Sequence, residues 1–265
     1  MKIGYLNMKL DLCVVACDLN EDYTQFFDIV KYSWKHYVGI ETKFILVSSF
    51  LPDDLSHFKD DIILFKPIKD IPTAFQSQCV RLLYPALMND VKNSIIISDM
   101  DLIPLNNHFY TEPIKHIDDK NFVVYRNVIS ENLQYPICFC AANFKTWSDI
   151  FSIKTILDIN NTIEHWYEYY INTGHFYQIS SPYSVIWSCD QLKLFEYVNK
   201  WNEKTMKLTT FSDKDTKFNR LDRHNILEID KHIYEYKVKI KFGVYSDFHL
   251  PRLTCYKNLI ETLIY

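Results

Sequence analysis

Short apolar runs alternate with longer stretches of helical period through the first 105 residues of this 265-residue chain, and that alternation admits few folds. Residues 10–16, Leu-Asp-Leu-Cys-Val-Val-Ala, read as a strand, followed by a polar loop over 17–23. A helix is expected over about 24–38. Phe26, Phe27, Val30, Trp34, Tyr37 and Val38 recur there at helical spacing, and Gly39 stands where a C-terminal cap belongs. Residues 43–48 and 61–65 read as two further strands. The next helix, over 71–85, has Thr73 as its expected cap, Phe75, Cys79, Leu82 and Leu83 as its apolar face, and Pro85 at its end. A fourth apolar run covers 93–97. This β-α-β-β-α-β rhythm predicts an α/β fold with a mainly parallel, Rossmann-like, doubly wound sheet.

The second half has a different texture. Strands are expected over 122–126 and 137–142, and a helix from Thr146 or Trp147. The stretch 165–170 reads as helical, and Asp190 is placed to cap a helix that buries Leu192, Leu194, Phe195 and Val198. Residues 226–244 read as short strands. No internal repeat, low-complexity tract or Gly/Pro/Ser linker divides the chain, which is therefore expected to be one domain.

The fourth run ends at Asp99-Met100-Asp101, followed by Pro104, which has no N–H to give a ladder. In an extended chain, side chains at i and i+2 face one side, so Asp99 and Asp101 are expected to converge while Met100 turns into packing. Two hard oxygen ligands at one point suit Mg²⁺ or Mn²⁺. Most Asp-x-Asp pairs are turn and cap residues. This one gains weight from its place at the carboxyl edge of a buried strand, where open α/β sheets bind ligands. The same edge makes Asp18 and Tyr23 candidates for nucleotide contacts, with capping and core packing as the plain alternative. Gln78 and Arg81, one turn apart, are placed to point toward Asp99; for Arg81 a surface position is the default and a phosphate clamp the functional reading.

Composition narrows the chemistry. A net charge of -4 gives no overall attraction to nucleic acid. With only 4 glycines there is no Gly-rich phosphate loop, so phosphate must be held by metal, Lys, Arg or helix N-termini. The 7 cysteines are odd in number and lack a C-x-x-C pair, which predicts reduced, mostly buried thiols. Nothing resembles a secretory signal or a transmembrane segment, so a soluble, cytoplasmic protein is expected.

Three local patterns coincide: the Asp99-x-Asp101 pair after a Gln78-x-x-Arg81-Leu82-Leu83-x-Pro85 helix, the Asp190-Gln191 pair opening a later helix, and His249 near the end with Arg252 behind it. Together they resemble a nucleotide-sugar-dependent glycosyltransferase of the type A fold, over roughly residues 10–191 plus 249–252. The resemblance implies a nucleotide-binding half at 1–105 and an acceptor-binding half at 106–265. It implies Asp99, Asp101 and His249 as ligands of Mn²⁺ or Mg²⁺, with imidazole favouring Mn²⁺. Asp18, Tyr23, Gln78, Arg81, Asp99 and Arg252 would meet a nucleotide-diphosphate sugar, a UDP-sugar in the first instance. Asp190, with Gln191 beside it, would be the catalytic acceptor-side carboxylate, acting as base or only orienting the sugar, and the acceptor would be a glycan, a protein or a small molecule. Trp187 and Tyr183 are candidates for stacking on sugars, while His165, His175 and His224 have no assigned role. One departure stands out: glycogenin-like members carry His-x-x-Gly-x-x-Lys, whereas here His249-Leu250-Pro251-Arg252 lacks the Gly, so no subfamily or stereochemistry follows. The alternatives are a nucleotidyltransferase on a similar sheet, against which the absence of a Gly-rich loop counts, and an inactive nucleotide- or glycan-binding protein.

Overall fold

A computed structural model describes residues 7–174 and 187–265. Strand β1 (Leu10–Cys17) is buried on both faces, and this organises the fold. Cys13, Val15 and Cys17 enter one core, while Leu12, Val14 and Ala16 enter the other. A strand covered on both sides has no need of polar alternation, which is why it reads as a continuous apolar run from Leu12 to Cys17. β2 (Glu41–Val47), β3 (Ile62–Phe65) and β4 (Ser94–Ile97) divide their side chains in the same way: Phe44, Leu46 and Ile96 face one core, Ile45, Val47, Ile95 and Ile97 the other.

The main sheet has seven strands in the order β3-β2-β1-β4-β7-β6-β8, completed by β6 (Phe122–Val124), β7 (Cys140–Asn143) and β8 (Leu208–Thr210). Pairing from β3 through β4 is parallel; β7 runs antiparallel to both β4 and β6. The expected mainly parallel sheet is what forms. β5 (Leu102–Pro104) starts a second sheet of three strands, pairing antiparallel with β10 (Asp247–His249), which pairs parallel with β9 (Arg220–Asp222). Pro104 therefore does not stop pairing. It ends β5, and Leu105 takes up the next bond, donating its N–H to the Ser246 carbonyl.

Helices cover both faces. The first expected helix is broken into α1 (Glu21–Thr24), capped by the Asn20 side chain, and α2 (Phe27–Ser33), continued by a wide π turn at Trp34–Val38. Gly39 closes it with φ +86°, a left-handed conformation that glycine adopts without a Cβ penalty. On the other face lie α3 (Thr73–Leu83) and, beyond the short α4 (Asn107–Thr111), α5 (Phe144–Phe151), α6 (Ile156–Asn172) and α7 (Cys189–Thr205). Asn143 caps α5, its side chain accepting the Thr146 N–H, so the helix begins before Thr146. Residues Ile137–Phe139 form a tight turn, and the strand expected over 137–142 is confined to β7. Six cysteines are buried and Cys255 is exposed. Among the described residues no helix is long and apolar enough to cross a membrane.

The expectation of strands over 226–244 is overturned. After the short α8 (Asp213–Thr216), this region forms α9 (Ile226–Lys231) and α10 (Ile233–Lys241), and the chain closes with α11 (Leu253–Ile264). Tyr236, Val238 and Ile240 alternate as in a strand, but Ile229, Ile233, Tyr236 and Ile240 also lie at helical spacing, and that face meets the core. Val238 is 53% exposed and Ile240 only 4%. We expect Ile240→Ala to lower unfolding stability by about 2–5 kcal/mol and Val238→Ala by less than about 0.5 kcal/mol. Urea denaturation followed by circular dichroism checks this; equal losses would place both side chains on one buried face, as a strand requires.

Candidate active site

The chain leaves β1 toward β2 and β3 on one side, then returns to place β4 on the other. The carboxyl ends of β1 and β4 thus flank the point where strand order reverses, and a crevice must open there. A cavity of about 590 Å³ occupies this place. Asp18 and Tyr23 line it from the end of β1, Gln78 and Arg81 from α3, Asp99, Met100 and Asp101 from the end of β4, and Asp190 and Gln191 from the start of α7. Arg223 and His224, just after β9, and His249 on β10 complete the wall.

The Asp pair does not sit in extended chain. The Leu102 N–H donates to the Asp99 carbonyl at 3.3 Å, closing a turn around Met100 and Asp101, because β4 belongs to one sheet and β5 to the other. Both carboxylates still face the cavity, and Met100 is buried as expected. Each carboxylate has its own guanidinium: Arg81 pairs with Asp99, and Arg223 Nη2 donates to Asp101 at 2.7 Å.

Arg81 is not on the surface. It lies buried between Asp99 and Asp190, donating from Nη2 to Asp190 Oδ2 at 2.7 Å. Burial opposes the Arg81 charge, yet Asp99 and Asp190 hold the guanidinium more firmly protonated than usual. Asp190 does not cap α7; Ser188 precedes the helix and the Asp190 side chain turns inward, with Oδ1 accepting the Gln191 N–H at 2.8 Å. Its burial raises the carboxyl above the ordinary value despite Arg81. Thr73 does not cap α3 either. Its hydroxyl donates to Asp18 Oδ2 at 2.8 Å, tying the end of β1 to the start of α3, while Asp18 Oδ1 accepts the Asn20 N–H. Gln78 donates to the Trp187 carbonyl at 3.1 Å and its Oε1 is buried without a partner among the described residues. The Tyr23 hydroxyl is pushed up to about 12 by burial and by the charges of Asp101 and Asp99.

The small sheet assembles the far wall. β10 pairs with β9 in a register that sets His249 opposite Asp222, and with β5 so that His249 lies opposite Leu102. His249 Nε2 is thereby 3.6 Å from Asp101 Oδ2, and Nδ1 is 3.4 Å from Asp222 Oδ2. Burial would raise the Asp101 carboxyl, but His249 and Arg223 together hold it below the ordinary carboxylate value. Arg252 is not brought into the cavity: its side chain is exposed and its Nε lies 3.4 Å from Asp22. Trp187 and His224 line the cavity, His165 is exposed elsewhere, and Tyr183 and His175 fall outside the described residues. Arg223 and Asp222 were missed by sequence reasoning. The one available signal is the run Asp222-Arg223-His224, three ionisable side chains directly after an apolar Leu221.

Asp99, Asp101 and His249 are chemically suited to a divalent cation. As arranged they do not enclose one. Among the described residues no three His, Cys, Asp or Glu side chains converge in a metal-holding group, and the Arg223 guanidinium stands between Asp101 and His249.

No family model matches the sequence, and no curated protein matches it. Solved structures show a distant likeness. The apo glycosyltransferase GlyE of Streptococcus pneumoniae TIGR4 is 11% identical with a TM-score of 0.48, over 98% of this chain and 61% of that one, so this chain spans less than two thirds of its length. The galactosyltransferase LgtC, crystallised with donor and acceptor sugar analogs, is 12% identical with a TM-score of 0.46, over 95% of each chain. Mouse xyloside xylosyltransferase 1 is 9% identical with a TM-score of 0.42, over 91% of this chain and 97% of that one. Likeness this distant leaves the reading of the site to its own geometry.

Arg81 is the group whose removal tests that geometry. Arg81→Met strands Asp190 in a dry setting, and losing one partner of a buried ion pair costs about 3–5 kcal/mol. Deprived of the guanidinium, Asp190 rises further above its unfolded value. A carboxyl shifted up in the folded state contributes stability at low pH that is lost as pH rises through its folded value. The deficit of Arg81→Met is therefore largest at neutral pH and shrinks at mildly acidic pH, and the double variant Arg81→Met/Asp190→Asn recovers part of it. Denaturant curves at both pH values check this; a deficit independent of pH contradicts it.

Proposed function

We propose that this chain is a glycosyltransferase that uses a nucleotide-diphosphate sugar, UDP-linked in the first instance, and a divalent cation to glycosylate an acceptor hydroxyl. One observation carries the reading: the Asp99/Asp101 pair, flanked by Arg81 and Arg223, lies at the carboxyl edge of the sheet where strand order reverses. That is where open α/β sheets bind nucleotides, and a cavity of about 590 Å³ falls within the range of small-molecule sites.

The charge of the crevice supports a cation as well. Asp18, Asp99, Asp101 and Asp190 face it against Arg81 and Arg223, so a bare diphosphate would add negative charge to a wall already acidic. Asp99, Asp101 and His249 are the residues that would hold Mn²⁺ or Mg²⁺, which when bound supplies Lewis-acid neutralisation of a departing diphosphate. The chain's own groups do the rest. Arg81 and Arg223 offer charge-assisted donors to phosphate oxygens. Asp18 and Tyr23 stand where base and ribose would lie. Asp190, with both oxygens engaged, orients Arg81 and the neighbouring Gln191 on the acceptor side rather than taking a proton itself. Trp187 offers an aromatic face beside them. The acceptor is a hydroxyl of a glycan, a protein or a small molecule.

Thermal unfolding with a panel of nucleoside diphosphates, each with and without Mn²⁺, tests this. A ligand that binds only the native state adds about 2.7 kcal/mol of stability at a hundredfold over its Kd. We expect one diphosphate to stabilise wild type only with Mn²⁺, and Asp101→Ala to lose the effect. Sugar release from the matching nucleotide sugar would complete the case. No shift under any condition would sink the reading, and pyrophosphate release from a nucleoside triphosphate would replace it with nucleotidyl transfer.

A further inference from the structure

We propose that helix α10 (Ile233–Lys241) docks this protein on a membrane surface that carries anionic lipid headgroups, independently of the chemistry in the crevice. A helix at the edge of a domain ordinarily shows one apolar face, turned to the core. α10 shows two. Ile233, Tyr236 and Ile240 turn to the core. On the opposite side Tyr234, Val238 and Phe242, each four residues from the next, form a stripe along the helix and its end. Residues two apart on a helix stand about 200° round from each other, which is why Val238 faces out where Ile240 faces in. Tyr234 is 83% exposed and Phe242 78%, so nothing among the described residues covers them. Single exposed apolar side chains are ordinary, but three in a row down one helix mark a surface that something apolar covers.

Charge selects the occupant. The whole chain carries a net charge of -4, whereas residues 233–244 hold three lysines and one glutamate. Lys237 and Lys241, one turn apart, flank the stripe on one side, and Lys239, paired with Glu235, flanks it on the other. Lys237 donates to the Thr262 carbonyl at 2.8 Å, and Lys241 has no hydrogen-bond or ion-pair partner among the described residues. Both line a cavity of about 520 Å³ that His36 also lines, which gives a phosphate headgroup room beside the two ammonium groups. An acidic protein is repelled by an anionic bilayer except through such a patch, so the lysines orient it with the stripe facing the lipid. Val238 and Phe242 then bury at the edge of the hydrocarbon, while the Tyr234 ring, apolar with a polar tip, sits at headgroup depth. A 9-residue helix is too short to span a bilayer, which takes about 20 residues, so α10 lies in the plane of the surface. A second copy of this chain fits the stripe less well, because a two-fold contact brings the lysine rows of both copies together.

The test is sedimentation of the full chain with vesicles of phosphatidylcholine alone, and of phosphatidylcholine with a minor share of phosphatidylserine, at low and at high salt. Wild type is compared with the triple variant Tyr234→Gln/Val238→Gln/Phe242→Gln, with Phe242→Gln alone, and with Lys237→Gln/Lys241→Gln. Circular dichroism checks folding, and Phe242→Gln, at the exposed end of the helix, stands in for the triple variant if that one does not fold. We expect wild type to sediment with the phosphatidylserine vesicles at low salt, and far less at high salt or with phosphatidylcholine alone. The triple variant should bind about tenfold or more weakly, and the lysine variant about tenfold more weakly. Binding that the stripe variants keep in full places the membrane contact elsewhere and overturns the assignment. Equal binding to both kinds of vesicle at both salt concentrations overturns the role of charge and with it the choice of lipid. No binding to either overturns the docking outright, and a dimer in sedimentation velocity that the stripe variants lose assigns the stripe to a second copy instead.

Discussion

Everything in this protein depends on β1 being buried on both faces and paired on both edges. A strand in that position accepts parallel neighbours on either side, and the chain uses them in sequence, first β2 and β3, then β4. The reversal between them opens a crevice at the carboxyl ends of β1 and β4. The crevice is thus a consequence of topology, and Asp18 and Asp99 stand at it because they follow directly on the carboxyl ends of β1 (Cys17) and β4 (Ile97, Ser98).

The walls are tied together by charge rather than by apolar contact. Arg81 reaches from α3 to the end of β4 and to the start of α7, linking the first 105 residues to the later part of the chain through one buried guanidinium. Such a network is a poor source of net stability, because desolvating the ions offsets most of their attraction. What it does supply is geometry: a charged group buried with its partners has few alternative positions, so this wall of the crevice is held in place. The far wall is built differently. There the three-stranded sheet sets His249 beside Asp222 through backbone register, and the Leu250 N–H donating to the Asp101 carbonyl brings Asp101 alongside.

How far the chain could be read from its letters varies with the kind of signal. The alternating strands and helices of the first 105 residues are local and strong, and the parallel sheet follows from them. Residues 226–244 were misread because alternation in Tyr236, Val238 and Ile240 coexists with helical spacing in Ile229, Ile233, Tyr236 and Ile240, and only packing chooses between them. Thr73 and Asp190 look like caps for the same reason: each stands at a helix start, where capping is the cheapest use of its oxygen. Each is drawn elsewhere by a partner distant in sequence, Asp18 for Thr73 and Arg81 for Asp190.

By itself, the sequence determined the α/β class, the strands of the first 105 residues, and the identity of Asp99, Asp101, Arg81, Gln78 and His249 as residues worth attention. Periodicity and residue chemistry are local properties, legible wherever neighbours in the chain are also neighbours in the element. Only the tertiary structure decided that Arg81 is buried between two carboxylates, that Arg252 lies outside the cavity, and that Arg223 and Asp222 belong to the site. Those facts come from strand register in a second sheet and from burial across more than a hundred residues of chain, as in the 122-residue separation of Asp101 and Arg223. No local pattern encodes them, because the energy that selects them exists only once the two halves have packed.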